Sequence, residues 1–356
     1  MKRTILVQGA GGGGGNNLIR SLRQSKLDLR ILGSNCLPHA VAKSSADNTY
    51  LLPSSKEDSY LDALNRLIET EKIDLIIPNS DREVEMVSKY RDRIAARVFL
   101  PEDEIVQTCQ DKHKLYLALS KVGIYMAPSQ SLNSMEDIDE AFARLPKTEK
   151  YWVRPRRGSG SRGATWVYNA EQAKKWISLW VDLRGYSASE FQISNFLPGR
   201  DYAFQSVWKD GKLVVAKMCQ RLSYFMGANR LSGMSSTPEI ARTVRDDKAL
   251  ETIFRAVHSL TDRPHGNFNM DLKADTNGNM NITEINIGRF CMITTIFDST
   301  GKVNTAEAYV KSAFGEDMAI DDPIDIVEGF MLIRELDTEP LIVHESTLPR
   351  PIGGSA

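Results

Sequence analysis

Short apolar runs alternate with longer amphipathic stretches from residue 4 to about residue 100. Runs such as TILV, LRILG and IDLIIP are separated by stretches such as SYLDALNRLIET and REVEMVSKYRDRI. This alternation is typical of a parallel sheet flanked by helices, so it predicts an α/β domain. Ligands bind at the carboxyl ends of the strands in such sheets, which directs attention to the loop at residues 9–17 and to the stretch PNSDRE.

Five consecutive glycines follow the first apolar run and precede an apparent helix. Gly9, Gly11 and Gly14 satisfy G-x-G-x-x-G, but in a glycine run such a match is nearly automatic. The second apolar run ends in Ser34 and Asn35, where a dinucleotide site needs an acidic residue for the ribose. No Gly-Lys-Ser/Thr follows, which excludes a P-loop. A tight strand-to-helix turn is therefore at least as well supported as a dinucleotide site.

Length and charge restrict the classes of protein that this chain can belong to. Its 356 residues suffice for two or three domains. A formal net charge of -1 gives no electrostatic case for nucleic acid or an anionic membrane as a partner. No apolar stretch approaches membrane-spanning length, and MKRT leads directly into a strand-like run, so we expect a cytoplasmic protein. The four scattered cysteines form no metal motif and predict free thiols.

The pattern changes after about residue 124, where strand-like runs occur in pairs. The stretches YAFQSVWKDGKLVVAKMC and NFNMDLKADTNGNMNITEIN each contain a turn dipeptide, Asp-Gly or Asn-Gly, between two strand-like runs. A largely antiparallel sheet with intervening helices fits this pattern. The last 41 residues, from 316 to 356, contain short apolar pieces that we expect to pack back on the body before a frayed Gly-Ser end.

The second of these hairpins carries a set of oxygen-bearing side chains. Side chains alternate along a strand, so Asn269 and Asp271 share one face of its first strand. Glu284 and Asn286 likewise share one face of its second strand. If the two faces coincide, carboxylates and an amide converge as Mg²⁺ requires, and Arg289 just beyond could stabilise a transferring phosphoryl group. The alternative interpretation is the polar outer face of a surface hairpin.

A basic, glycine-rich segment lies between two other strand-like runs, in YWVRPRRGSGSRGATWV. Its arginines are Arg154, Arg156, Arg157 and Arg162. Such a flap can close on a polyphosphate, contributing charge and main-chain N–H groups while it excludes water. Taken alone, it could equally be a flexible basic loop.

Together these features resemble the ATP-grasp superfamily, particularly its single-module enzymes similar to one half of the carbamoyl-phosphate synthetase large subunit. The resemblance covers residues 1 to about 310 and follows the family's order: an α/β domain, DK opening a helix, the flap, the hinge ISNFLPGRDY and the metal hairpin ending EINIGRF. It implies a Rossmann-like pre-ATP-grasp α/β domain at 1–110 and an α+β ATP-grasp domain with antiparallel sheets at 111–315. The latter divides into a flap-bearing subdomain at about 125–195 and a metal-binding subdomain at about 196–315. Residues 316–356 form a C-terminal extension.

The resemblance also implies a role for individual residues. Those implied to contact ATP are Lys112, Arg154, Ser159 and Ser161 at the phosphates, Asn195 and Leu197 at the adenine, and Asp201 at the ribose. Those implied to hold Mg²⁺, or Mn²⁺, are Asp271, Glu284 and Asn286. Arg289 and Arg154 would act at the phosphoryl-transfer centre. Two positions depart from the family: Asn195 stands where glutamate is usual, and Arg289 comes one residue later than in the commoner E-x-N-P-R.

In this family ATP lies between the two later subdomains, and the first glycine loop borders the acceptor pocket. The residues implied to contact the acceptor are Gly13, Asn16, Asn17, Asp81 and Glu83. The implied activity is ATP-dependent ligation of a small carboxylate to an amine through an acyl phosphate. Activation of bicarbonate with ammonia, as in carbamoyl-phosphate synthetases, is the alternative that Arg154 suggests. A non-catalytic nucleotide-binding protein and an NAD-dependent oxidoreductase rank lower. A homodimer is compatible with the resemblance.

Overall fold

The computed structural model describes residues 2–235, 237–335 and 341–348. Three sheets follow one another along the chain. No helix within these residues is long and apolar enough to cross a membrane.

The first sheet contains five parallel strands, as the alternating pattern predicts. The strands are β1 (Arg3–Gln8), β2 (Leu29–Asn35), β3 (Asn48–Leu51), β4 (Leu75–Ile77) and β5 (Arg97–Val98), in the order β3-β2-β1-β4-β5. The helices of this part of the chain are α1 (Gly13–Gln24), α2 (Pro38–Ala42), α3 (Tyr60–Glu71), α4 (Asp81–Lys89), α5 (Asp103–Gln110) and α6 (Lys112–Ser120). The chain leaves β1 towards β2 on one side and later places β4 on the other. The carboxyl ends of β1 and β4 therefore form the switch point where α/β sheets bind ligands.

The second sheet is antiparallel and has four strands. They are β6 (Ser129–Ser131), β7 (Tyr151–Pro155), β8 (Thr165–Val167) and β9 (Phe191–Asn195), in the order β6-β9-β7-β8. Helices α7 (Asp137–Arg144) and α8 (Ala170–Arg184) contribute to its own hydrophobic core, which includes the fully buried Val153, Ile177 and Phe191. The basic segment after β7 is the connection between β7 and β8.

The third sheet is antiparallel and has seven strands. They are β10 (Asp201–Lys209), β11 (Lys212–Tyr224), β12 (Pro238–Thr243), β13 (Gly266–Ala274), β14 (Met280–Ile287), β15 (Phe330–Ile333) and β16 (Leu341–His344), in the order β14-β13-β10-β11-β12-β15-β16. Helices α9 (Asp247–Leu260), α10 (Thr294–Thr300) and α11 (Thr305–Ala313) belong to this region. The expected C-terminal extension thus supplies β15 and β16 to this sheet. The expected frayed Gly-Ser end lies outside the described residues.

Register shifts interrupt several ladders of the third sheet, and two of them affect the site. One is a bulge at Val214 of β11, between the pairs Val207–Val215 and Trp208–Leu213, and it places Asp201 opposite Arg221. The other is a bulge at Thr283 of β14, between the pairs Asp271–Glu284 and Leu272–Ile282. Because a bulge shifts the register by one residue, these two irregularities decide which side chains share a face.

Candidate functional site

A cleft of about 330 Å³ contains side chains from both antiparallel sheets, from α6 and from the loop between β7 and β8. All of the residues predicted to contact the nucleotide, the metal or the transferring phosphoryl group line this cleft: Lys112, Arg154, Ser159, Ser161, Asn195, Leu197, Asp201, Asp271, Glu284, Asn286 and Arg289. The fold therefore brings segments that are more than a hundred residues apart in the sequence together around this cleft.

The hairpin of β13 and β14 brings its oxygen-bearing side chains together. Asn286 Nδ2 lies 3.3 Å from Asp271 Oδ2 and 3.4 Å from Glu284 Oε1. Asn269 has a different role, because its amide donates a hydrogen bond to the main-chain oxygen of Arg289. The bulge at Thr283 produces this convergence by placing both carboxylates on the face that lines the cleft.

Two cations flank the Glu284 carboxylate. Its Oε2 lies 3.4 Å from Lys112 Nζ and 3.9 Å from Arg154 Nη1. Arg154 also donates a 2.8 Å hydrogen bond to the main-chain oxygen of Thr283. Burial alone would raise the pKa of Glu284, but Lys112 and Arg154 outweigh it and hold that pKa well below its usual range. Glu284 is therefore ionised at neutral pH.

The surroundings of Asp271 shift its pKa in the opposite direction, upwards. Burial and the neighbouring Glu284 raise the pKa of Asp271, and the ion pair with Arg221 offsets only part of that rise. Two close carboxylates in one buried site favour binding of a cation, because the repulsion between them is then relieved.

Arg221 is a residue of the cleft that the sequence did not indicate. It pairs with Asp271 and donates a 2.8 Å hydrogen bond from Nη1 to Asp201 Oδ1. Tyr224 donates a 2.6 Å hydrogen bond to the other oxygen of Asp201, and Lys273 Nζ lies 3.8 Å from that oxygen. Asp201 therefore lines the cleft with its carboxylate already held by three neighbours. Because the bulge between β10 and β11 decides which residue lies opposite Asp201, no local pattern in the sequence indicates Arg221.

Arg289 links the hairpin of β13 and β14 to the start of α4. Its Nε donates a 2.6 Å hydrogen bond to Asp81 Oδ1, and its Nη2 donates one to Asn286 Oδ1. Burial opposes the charge of Arg289, but Asp81 and Glu284 outweigh it and raise the pKa of Arg289. Asp81 thus contacts the site through Arg289 and lines neither cavity described here.

The glycine-rich loop lies against the start of α6. Lys112 Nζ donates a 2.9 Å hydrogen bond to the main-chain oxygen of Gly158, and Arg156 pairs with Asp111 at 2.7 Å. Gly158, Gly160 and Ser161 all have positive φ, which folds the loop back over the cleft. The same ammonium group of Lys112 therefore contacts both the loop and Glu284.

Asn195 and Leu197 lie at the end of β9, where the chain crosses to the third sheet. Asn195 Nδ2 donates a 2.9 Å hydrogen bond to the main-chain oxygen of Pro146. Leu197 is buried, and both residues line the cleft. The connection between β9 and β10 thus forms an apolar wall with main-chain polar groups. A flat nucleotide base can bind to such a surface.

A second cavity, of about 280 Å³, lies beside the glycine turn. Gly13, Asn16 and Asn17 line it, as does Met292, which also lines the main cleft. The two cavities therefore meet at the Met292 side chain.

The glycine turn itself is tightly packed. A Cβ atom on Gly11 would lie 1.7 Å from the main-chain oxygen of Ala40, and one on Gly15 would lie 2.3 Å from that of Gly9. Asn16 Oδ1 accepts a hydrogen bond from the Gly11 N–H at 3.0 Å. The glycines are thus required for close packing of the strand-to-helix turn, the simpler of the two sequence interpretations.

Glu83, like Asp81, is a predicted acceptor contact that lines neither cavity. Its side chain lies instead beside Ser80, the N-cap residue of α4. The Glu83 carboxylate lies 2.8 Å from Ser80 Oγ, while Ser80 Oγ accepts from the Glu83 N–H at 3.3 Å. The sequence S-D-R-E is a capping signature, and that local role accounts for its position.

Burial of Glu83 has a consequence for stability, because it raises the pKa of Glu83 to about 7. The unfolded chain releases this proton near the ordinary value of 4.5, so the folded state binds more protons between these two pH values. We therefore expect the free energy of unfolding to fall by up to about 3 kcal/mol as the pH rises through this interval. Glu83→Gln keeps a capping side chain but should abolish this decline in urea titrations. An equal decline in the variant would contradict the assignment.

The family model of the PylC-like N-terminal domain matches residues 5–98. No curated protein matches the chain.

Solved structures match nearly the whole chain. N5-carboxyaminoimidazole synthetase from Staphylococcus aureus, complexed with ADP, is 16% identical with a TM-score of 0.71, over 94% of this chain and 83% of that one. The biotin carboxylase domain of 2-oxoglutarate carboxylase from Hydrogenobacter thermophilus is 15% identical with a TM-score of 0.72, over 93% and 74%. L-amino acid ligase from Bacillus licheniformis is 10% identical with a TM-score of 0.69, over 93% and 78%. The predicted fold class is confirmed: the chain has the ATP-grasp fold, and its first domain is similar to the PylC-like N-terminal domain.

Proposed function

We propose that this protein is an ATP-dependent carboxylate–amine ligase that forms an amide through an acyl phosphate. The observation that carries the proposal is the position of Glu284. Its carboxylate lies between Lys112 and Arg154 in a cleft that meets a second cavity at Met292. Such a site offers charges for a polyphosphate on one side and space for an acceptor on the other.

The nucleotide would lie in the main cleft. Lys112 and Arg154 would contact the phosphates, and Ser159 and Ser161 would approach them from the loop between β7 and β8. Asn195 and Leu197 would border the adenine at the crossing from the second to the third sheet. Asp201 would lie towards the ribose. Two of the solved structures named above support this arrangement, since they are described as complexes with ADP or its magnesium salt.

The hairpin donors fit Mg²⁺. Asp271 and Glu284 offer carboxylates and Asn286 an amide oxygen, the ligand types that Mg²⁺ uses together with phosphate and water oxygens. Among the described residues no three His, Cys, Asp or Glu side chains cluster for a metal, so these donors suit an ion that shares its ligands with a nucleotide. Asn286 presents its Nδ2 to both carboxylates, so its amide must turn to join them. Bound here, Mg²⁺ would neutralise phosphate charge, and Mn²⁺ accepts the same donors.

The chemical step needs positioning and neutralisation of charge more than covalent help from the protein. An oxygen of the substrate carboxylate attacks the γ-phosphorus, and ADP leaves with the electron pair of the broken P–O bond. An amine then attacks the carbonyl carbon of the acyl phosphate, and inorganic phosphate leaves as the amine loses a proton. Arg289 and Arg154 would balance the charge on the transferring group. Asp81 would keep the Arg289 guanidinium directed at this point.

The second cavity would hold the acceptor. Gly13, Asn16 and Asn17 line it, and Met292 separates it from the cleft. Small-molecule carboxylates and amines are therefore the expected partners.

Two other activities use parts of the same structure. Activation of bicarbonate with ammonia is the second candidate, because an arginine occupies position 154 as in carbamoyl-phosphate synthetases. A dinucleotide-dependent oxidoreductase has less support, since β2 ends in Ser34 and Asn35 and Asn35 donates a 2.8 Å hydrogen bond to Ala10 within the turn.

Phosphate release from ATP tests the proposal. The full chain is incubated with Mg·ATP and pools of amino acids, small carboxylic acids, amines and bicarbonate, and products are identified by mass spectrometry. Phosphate release that depends on both a carboxylate and an amine, with a mass loss of one water in the product, is expected. Release that needs only bicarbonate and ammonia would favour the second candidate. Turnover of a reduced nicotinamide without use of ATP would overturn both.

A further inference from the structure

The second cavity has one wall from the C-terminal strands, which lie beyond the region of the sequence resemblance. Arg334 directly follows β15 and lines this cavity. Its main-chain N–H donates a 3.0 Å hydrogen bond to the main-chain oxygen of Glu239, which continues the pairing of β15 with β12. The seven-stranded sheet therefore fixes the backbone from which this arginine extends.

The charge of Arg334 lacks a carboxylate partner among the residues that the structure describes. Its guanidinium donates to two neutral main-chain oxygens, one at 3.1 Å on Pro238 and one on Met292. Burial and the nearby Arg20 lower the pKa of Arg334, so the surroundings disfavour its positive charge. A partly buried cation in such surroundings gains most from an anion that enters the cavity.

The position of Arg334 also suits a ligand that extends towards the nucleotide. The guanidinium contacts the main chain of Met292, whose side chain separates the second cavity from the cleft. Across the cavity, α1 begins at Gly13 with no side-chain cap, which leaves its first N–H groups available to an anion.

We propose that the acceptor substrate carries an anionic group that is not consumed in the reaction, a carboxylate or a phosphate, and that Arg334 binds this group. The inference rests on the proposed ligase function, because it assigns the second cavity to the acceptor. Beyond that function, the inference assigns a negative charge to the acceptor substrate and identifies Arg334 as a residue that selects for this charge. A guanidinium can donate paired hydrogen bonds to a carboxylate or to a phosphate. The identity of the acceptor substrate therefore decides which of the two anions Arg334 binds.

Binding measurements test the inference without turnover. Melting temperatures of the full chain with a non-hydrolysable ATP analogue and Mg²⁺ are compared for matched pairs: L-alanine and L-alaninamide, succinate and succinamide, glycerol 3-phosphate and glycerol. At least one anionic member should stabilise the wild type more than its neutral partner, and Arg334→Gln should remove that difference. A preference for the same anion that persists in Arg334→Gln, or no anionic preference in any pair, would overturn the proposal.

Kinetics with an acceptor found by the phosphate-release screen give the second readout. Arg334→Gln should raise the KM of an anionic acceptor by about 10- to 100-fold, with little change in kcat or in the KM of ATP, because a charge-assisted hydrogen bond is lost. Arg334→Lys should restore part of the affinity. The matched control is Arg245→Gln, since exposed Arg245 pairs with Asp247 outside both cavities.

The two proposals fail in different ways. Ligation of neutral acceptors with an unchanged KM in Arg334→Gln would contradict the proposed anion site but not the proposed ligase function. Anion binding that depends on Arg334, with no ATP-dependent ligation of any pooled acceptor, would contradict the proposed ligase function but not the anion site.

Discussion

Replacing Glu284 by glutamine is expected to lower ATP turnover by two orders of magnitude or more while the fold persists. The substitution removes one negative charge from a carboxylate that lies 3.4 Å from Lys112 Nζ and 3.9 Å from Arg154 Nη1. It also removes a donor of the predicted Mg²⁺ site, and charge stabilisation by a metal is worth several kcal/mol, with about 1.4 kcal/mol for each tenfold in rate. Phosphate release with an identified substrate pair measures the effect.

The control for Glu284→Gln is a glutamate outside the cleft. Glu251 is exposed on α9, so Glu251→Gln changes the net charge equally without reaching the site. Turnover in this variant should equal that of the wild type. Wild-type turnover in Glu284→Gln, with an unchanged dependence on Mg²⁺ concentration, would remove the hairpin from the active site.

Replacing Gly13 by valine is expected to obstruct the acceptor and spare the nucleotide. A Cβ atom at Gly13 would lie 2.7 Å from the terminal methyl carbon of Met292, which must then move into one of the two cavities. Gly13 has no positive φ, and this neighbour is the end of a flexible side chain, so the fold should persist. We expect ligation to be lost or the acceptor KM to rise greatly. ATP affinity should change by less than about 1 kcal/mol, under a tenfold effect.

A compensating substitution makes this prediction specific. Met292→Ala removes the methyl group that meets the new side chain, so Gly13→Val with Met292→Ala should recover part of the lost affinity for the acceptor. Calorimetric titration with an ATP analogue gives the nucleotide affinity of each variant, and thermal melting confirms folding. A folded Gly13→Val protein that no longer binds ATP would place the nucleotide at the glycine turn.

Local signals in the sequence predict much of this fold. The alternation in the first hundred residues predicts the parallel sheet, because buried parallel strands such as β1 and β4 are continuous apolar runs. The dipeptide Asp210-Gly211 predicts a hairpin turn, and both residues have the positive φ that such a turn requires. Neither signal depends on residues far away in the chain.

The register of the site could not be predicted in the same way. Counted from the pair Lys209 and Lys212 at the turn, a regular ladder would place Asp201 opposite Gln220, but the bulge on β11 brings Arg221 there instead. The bulge on β14 likewise replaces Thr283 by Glu284 as the partner of Asp271. The sequence carries no local signal for either bulge, so the contacts of Arg221 become evident only in the folded sheet.

A second part of the site depends on pairing between strands that are far apart in the sequence. Arg334 enters the wall of the second cavity because β15 pairs with β12, a strand about ninety residues earlier in the chain. The sequence predicts only that residues 316–356 pack on the body, since apolar pieces alone do not specify a partner strand. Glu83 shows the reverse case, because its local capping signature is satisfied and it lines neither cavity.

Photolabelling with an ATP analogue locates the bound nucleotide. The full chain is irradiated with Mg²⁺ and 8-azido-ATP, digested and mapped by mass spectrometry, with excess ATP and excess NAD as separate competitors. We expect labelling at residues 193–202, where Asn195 and Leu197 border the cleft, and suppression of the label by ATP but not by NAD. Labelling at residues 9–17 that ATP suppresses would contradict this location of the nucleotide.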